Sequence, residues 1–210
     1  MTAFKDVKLG KIADILNGIP DSKQLESANK ADMITYNFIQ PNHLGIFNNI
    51  QSVSEIKRTT PVDENYFIRE NDILLKRLNP DAATLINEDI SNTTFSSNLF
   101  VIRVFKDYCP SYIACLLENH GIAWLNGNIV GSIAPIKSIS IKALAELNIP
   151  VIEYKKQEAI GQMWLLCKKR KQLMINLIAE DQRLMAAAIK NITEKNARGG
   201  QNDGHYQKRY

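Results

Sequence analysis

Three groups of residues in this sequence have types and spacings that suit chemistry. The first is basic and amide-bearing: Lys57-Arg58, Lys76-Arg77 with Asn79, and the loop from Asn126 to Ser132, which includes Asn128. Arginine and lysine donate to O6 and N7 of guanine, and asparagine bonds adenine through both amide atoms, so these side chains suit reading base edges in a major groove. Taken singly, each is also an ordinary solvated surface residue. The second group is acidic and then basic. In "ENDILLKRL", Glu70 or Asp72 precedes Lys76, the loose pattern of a metal-dependent nuclease. A second acidic ligand has no obvious partner at the expected place, and the alternative is a strand that begins after a turn at Asn71-Asp72. The third group is Cys109, Cys115 and His120 in "CPSYIACLLENH", all of metal-ligating type. That stretch reads better as a helix packing Ile113, Leu116 and Leu117.

Other chemistries leave no trace. The three cysteines, Cys109, Cys115 and Cys167, include no CxxC pair, so neither a disulfide framework nor a zinc finger is indicated. "NGNIVGS" lacks the Gly-Lys-[Ser/Thr] that sets a lysine on phosphates, and there is no HExxH, GxSxG, DPPY or NPPY. No catalytic residue, metal or cofactor is expected.

The elements that must position these residues fall into two textures. With 210 residues, 45% hydrophobic and 23% charged, the chain suits one globular domain with an extension. Over residues 1–153, "ITYNFIQ" (34–40), "YFIRENDILLKRL" (66–78), "ATLI" (83–86) and "NLFVIRVF" (98–105) are rich in β-branched and aromatic residues and read as strands. "LNGIPDSK", "QPNHLGIFNN" and "NPD" between them are turn signals. Helical pieces fall at about 111–119 and in "SIKALAEL", where Ser140 can cap and Leu144 and Leu147 share a face. This is an irregular mixed α+β domain, with neither a repeated βαβ unit nor an internal repeat.

From residue 154 to about 193 the chain reads as one long helix, without proline and with one glycine, Gly161. At 1.5 Å per residue its roughly 38 periodic residues would extend about 57 Å. Leu166, Leu173, Leu177, Leu184 and Ala188 form an apolar stripe of coiled-coil type. The other face carries Lys168, Lys169, Lys171, Gln172, Gln182 and Lys190. Such a stripe needs a second helix, from another subunit or from the chain's own domain. Residues 194–210 are polar and aperiodic and read as a disordered tail.

Charge divides the same way. Residues 1–154 carry 14 Lys+Arg against 17 Asp+Glu, a net of −3, whereas residues 155–195 carry 9 against 4, a net of +5. The globular part therefore cannot hold nucleic acid by bulk electrostatics, and local clusters or partner subunits must supply the positive field. Lys5, Asp6, Lys8 and Asp14 interrupt any apolar run near Met1, and no stretch approaches the roughly 20 apolar residues of a membrane span. A soluble, cytoplasmic protein is expected.

The segment "SISIKALAELNIPVIEYKKQEAIGQM" resembles the one that joins a target-recognition domain to its helix in specificity subunits of type I restriction-modification enzymes. Ser140, Leu144, Leu147, Ile149, Pro150, Gln157 and Ile160 stand in matching register. "KLGKIADILNG", "IRENDILLKR" and "SSNLFVIR" resemble further stretches of that family, although Glu70-Asn71 replaces a usual basic-glycine pair and Ile152-Glu153-Tyr154 a usual second proline. The family usually carries two recognition domains and two helices, so the resemblance implies a half-length form. It also implies a non-catalytic subunit that recognises double-stranded DNA and pairs as an antiparallel coiled coil, here as a homodimer. DNA methyltransferase subunits, and restriction or translocase subunits where present, would join it, with Lys168, Lys169 and Lys171 as the methyltransferase contact. Two rivals remain open: a truncated fragment that pairs with a full-length specificity subunit, and a small metal-dependent nuclease.

Overall fold

The computed structural model describes residues 5–20, 33–88, 90–127 and 138–199. Its centre is a four-stranded antiparallel sheet in the order β2-β10-β7-β8, formed by β2 (Ala13–Asn17), β7 (Ile73–Lys76), β8 (Ala83–Leu85) and β10 (Leu99–Val104). Successive residues of a strand point to opposite faces. Thus Phe100, Ile102, Ile73, Leu75 and Ala83 enter one core, while Leu99, Val101 and Leu74 enter another. Both faces are covered, which is why "ILL" and "LFVI" are unbroken apolar runs rather than alternating ones.

The second core is shared with a three-stranded sheet, β6-β3-β9, made of β3 (Ile34–Ile39), β6 (Ser54–Arg58) and β9 (Thr93–Phe95), in which β3 pairs with β9 in parallel. A short ladder joins β4 (Leu44–Gly45) to β5 (Asn49–Ile50). Gly18 connects the two sheets: a Cβ there would lie 2.2 Å from the Ser96 carbonyl oxygen, so only glycine permits the approach.

The first core is roofed by helices. α1 (Pro110–Leu116) runs through a π-helical turn, Leu117–Gly121, into α2 (Ile122–Gly127). Ser140 accepts from the Ala143 amide at 3.1 Å and caps α3 (Ile141–Ala145), and both Leu144 and Leu147 are buried. β11 (Asn148–Val151) then pairs antiparallel with β1 (Lys5–Lys8), setting Ile149 opposite Val7 and Pro150 opposite Asp6. In this two-stranded ladder proline's missing N–H costs little.

The last element, α4, spans Tyr154–Gly199, six residues beyond the expected end at 193; residues 200–210 of the expected tail lie outside the described residues. By packing, the chain forms two units that part after Lys168. The reason is that the first turns of α4 are built into the globular unit through Gln157, Gly161, Trp164 and Lys168, all buried. From Lys169 to Glu194 every side chain is exposed apart from a half-buried Gln172. No helix among the described residues is long and apolar enough to cross a membrane.

"YFIRENDILLKRL" is not one strand. Asp63 caps a 3-10 turn at Glu64–Tyr66, Phe67 makes a single bridge to Thr94, Asn71 takes a left-handed φ of 68°, and the strand proper is Ile73–Lys76.

Candidate nucleic-acid interface

The basic groups lie at strand ends, on two different sheets. Lys57 and Arg58 close β6, opposite Thr35 and Ile34 of β3, with Lys57 exposed and Arg58 half-buried. They are strand residues and not turn residues. The strand escapes a hydrophobicity reading because β6 lies at a sheet edge and its sequence, Ser-Glu-Ile-Lys-Arg, has one apolar residue.

Lys76 ends β7 and Arg77 follows it. Lys76 makes a 2.9 Å ion pair with Asp81, so its ammonium helps hold the following turn as well as offering charge. The Arg77 guanidinium sits 5.9 Å from the centre of the Phe100 ring, a cation-π arrangement that orients it. Asn79 is exposed and left-handed, with φ 46°, a conformation that asparagine tolerates better than most residues. Leu78 bridges to Ser138, and the Ile139 amide donates to the Arg77 carbonyl at 3.0 Å, so the segment resuming at Ser138 lies beside this cluster. Asn128 and Ser132 lie outside the described residues.

The nuclease residues are arranged for another purpose. Asp72 is 1% exposed, and its carboxylate accepts from Arg103 Nε at 2.9 Å and Nη2 at 2.7 Å, and from the Arg69 amide at 2.8 Å. Arg103 also donates to the Phe67 carbonyl at 3.0 Å, tying β10 to the loop before β7. A buried carboxylate already engaged by three donors is a structural anion. Lys76 points to Asp81 instead.

Cys109, Cys115 and His120 also have structural settings. Cys109 is buried, its sulfur 3.2 Å from the Ser111 hydroxyl. Burial pushes the Cys115 thiol up, against the opposing hydrogen bond from Asn119. His120 falls in the π-helical turn. Among the described residues no group of three or more His, Cys, Asp and Glu side chains could hold a metal ion.

The helix foot is where tertiary structure departs most from the cationic-face expectation. Lys168 is not on an outer face. It is 7% exposed and donates to Glu118 at 2.5 Å and to the Ile46 carbonyl at 2.6 Å, above the Trp164 ring. Glu118 also accepts from Trp164 Nε1 at 3.4 Å and from the Ala83 amide at 3.2 Å, so one carboxylate joins α4 to β8. The physical reason is geometric: four consecutive helical residues cover every side of a helix, so Lys168-Lys169-Arg170-Lys171 cannot form one patch. Lys169 and Lys171 are exposed.

Gln157, notable in the sequence only through its register, is 2% exposed. Its Oε1 accepts from the Cys109 amide at 3.0 Å, satisfying the start of α1, and its Nε2 donates to the Ile152 carbonyl at 2.8 Å. Four residues on, a Cβ at Gly161 would lie 2.0 Å from the Ser111 hydroxyl oxygen and 2.8 Å from the Tyr112 nitrogen. The two helices meet there backbone to backbone.

The sheets, the helical roof and the long helix define an α+β fold similar to that of solved specificity subunits of type I restriction-modification systems. One similar structure belongs to work on complex assembly and conformational transition of the type I R-M system, with a TM-score of 0.63 at 14% identity over 99% of this chain and 52% of that one. The HsdS subunit from Thermoanaerobacter tengcongensis matches with a TM-score of 0.53 at 17% identity, over 81% of this chain and 40% of that one. The type I restriction-modification S subunit from M. genitalium matches with a TM-score of 0.53 at 15% identity, over 87% and 43%. The chain thus spans about half the length, or less, of these structures' chains. No protein-family model and no curated protein matches it.

Proposed function

We propose that this chain is a non-catalytic DNA-recognition subunit of a type I restriction-modification system. It would direct adenine methyltransferase subunits, and restriction or translocase subunits where present, to a bipartite site in double-stranded DNA. The observation that carries this reading is the extent of the fold likeness: it runs through 99% of the chain, taking in the globular unit and the long helix together. Two copies would pair through the exposed apolar residues of α4, and a two-fold dimer would face inverted half-sites. Lys57, Arg58, Arg77 and Asn79 are the assigned base- and phosphate-facing residues, with Lys76 shared between DNA and Asp81. Lys169 and Lys171 remain assigned to the methyltransferase; Lys168 leaves that set.

The engagement of Asp72 by Arg103 disfavours the nuclease rival. The other rival, a fragment that pairs with a longer specificity chain, differs in its DNA motif. The test is single-molecule methylation sequencing of DNA from cells expressing type I methyltransferase subunits with and without this chain. A palindromic bipartite adenine motif that depends on the chain supports the homodimeric subunit, and a non-palindromic one supports the fragment reading. An unchanged methylome would overturn the homodimeric subunit and favour a fragment that blocks a longer specificity chain, or the nuclease.

A further inference from the structure

The described stripe understates what α4 exposes. Met163, Cys167, Arg170, Met174, Leu177, Asp181, Leu184 and Ala188 follow one another at alternating spacings of four and three residues, an unbroken heptad seam. All eight are exposed: Met163 by 61%, Met174 by 54%, Leu177 by 62% and Leu184 by 68%. Over the turns where α4 is built into the globular unit, the buried residues are Gln157, Gly161, Trp164 and Lys168. The seam residues Met163 and Cys167 are exposed on another side of the same turns. The seam is therefore open along its length to a second helix.

Its pattern has an internal symmetry. About the midpoint between Ile175 and Asn176, Met174 mirrors Leu177, Cys167 mirrors Leu184, Met163 mirrors Ala188, and Arg170 mirrors Asp181. Arg170 and Asp181 are the two charged members of an otherwise apolar seam, and they have opposite signs. They stand eleven residues apart, about 16 Å along the axis, too far to meet within one helix.

We infer that two copies of the chain pair antiparallel along this seam, about a two-fold axis between Ile175 and Asn176, with Arg170 of each copy against Asp181 of the other. This rests on the antiparallel pairing already implied and proposed above, and adds its register. A parallel, in-register pair would set Arg170 on Arg170 and Asp181 on Asp181, two like-charge contacts in an apolar seam. Moving the antiparallel axis by half a heptad would set Arg170 against Met174 or Ala188, leaving unpaired charges. The chosen axis alone neutralises all four charges, and a polar pair within an apolar seam is a known device for specifying register. It also lies within about one residue of the middle of Tyr154–Gly199, so the two helices overlap nearly end to end.

The experiment is sedimentation velocity on the full chain and on Arg170→Asp, Asp181→Arg and the double exchange. Both sites are exposed within the chain, so near-ultraviolet circular dichroism of the globular unit should be unchanged. The parent should be dimeric. Each single variant should dissociate, with Kd raised at least tenfold, because each confronts like charges twice. The double exchange should restore the homodimer, and the two single variants mixed in equal amounts should form a heterodimer. Single variants that dimerise as tightly as the parent would overturn the register while leaving pairing intact. A parent chain that stays monomeric at every concentration would overturn the pairing as well.

Discussion

Two stretches of α4, residues 154–168 and 169–194, share a helix and differ in what covers them. In the first, the covered side is made of Gln157, Gly161, Trp164 and Lys168, and it is buried to the last few percent. In the second, Leu173, Met174, Leu177, Ile178, Leu184 and Met185 are all more than half exposed. The fully buried residues are thus polar, small or aromatic, with Ile160 and Leu165 packed partly buried beside them, and the open side is aliphatic. Burial in the first stretch is decided by specific partners: an amide for Gln157, a backbone approach for Gly161, a carboxylate for Lys168. The second offers only area, which any complementary helix can cover. Apolar periodicity identifies the side that awaits a partner and passes over the side already used.

That contrast can be broken most sharply at its covered side. Trp164→Ala should lower the unfolding free energy of the globular unit by about 4 kcal/mol, read as a shifted urea midpoint. An exposed Trp164 would give a change of a few tenths. Glu118→Ala leaves the buried Lys168 ammonium with the Ile46 carbonyl but no carboxylate, and the Trp164 N–H without its acceptor, and should cost about 3 kcal/mol. Lys171→Ala, on an exposed residue of the same basic block, should stay within about 0.5 kcal/mol. Equal losses from both would erase the distinction between the two ends of the block. Gln157→Leu removes both hydrogen bonds and should cost about 2 kcal/mol, raising amide exchange at Cys109.

On the open side, Leu177→Asp should leave the globular unit's stability within about 0.5 kcal/mol and abolish self-association by light scattering. A dimer that survives it places the interface elsewhere. The smallest effect concerns the ion pair between Lys8 and Glu146, both exposed. The hydrogen bond from Lys8, then its charge, holds the Glu146 carboxyl below the usual carboxylate range. A lowered folded pKa contributes stability above the unfolded value and loses it as pH falls through the folded one. The urea midpoints of the parent and Lys8→Met should therefore differ slightly near neutrality and converge in acid.

Much of the fold was legible before any coordinates. β3, β7, β8 and β10 stand in the runs of Ile, Leu, Val and Phe that mark them, and Ser140 caps the helix that its spacing announced. β2 and β6 were not legible, because both lie at sheet edges where polar residues are tolerated. The basic pairs were visible as residue types. That Lys57-Arg58 ends a strand, that Lys76 is held by Asp81, and that Arg77 lies over Phe100 depends on residues brought together from other parts of the chain.

The sequence by itself determined an α+β unit followed by a long helix, the acidic balance of the one and the basic balance of the other, and the aliphatic seam. Each is a local or periodic property, carried by spacing along the chain. Only the tertiary structure decided that the globular unit claims the helix as far as Lys168, that Asp72 serves Arg103, and that Lys168 turns inward to Glu118. A buried polar group is stable only where its partner is, and those partners lie 31 residues from Asp72 and 50 from Lys168, beyond the reach of any periodicity.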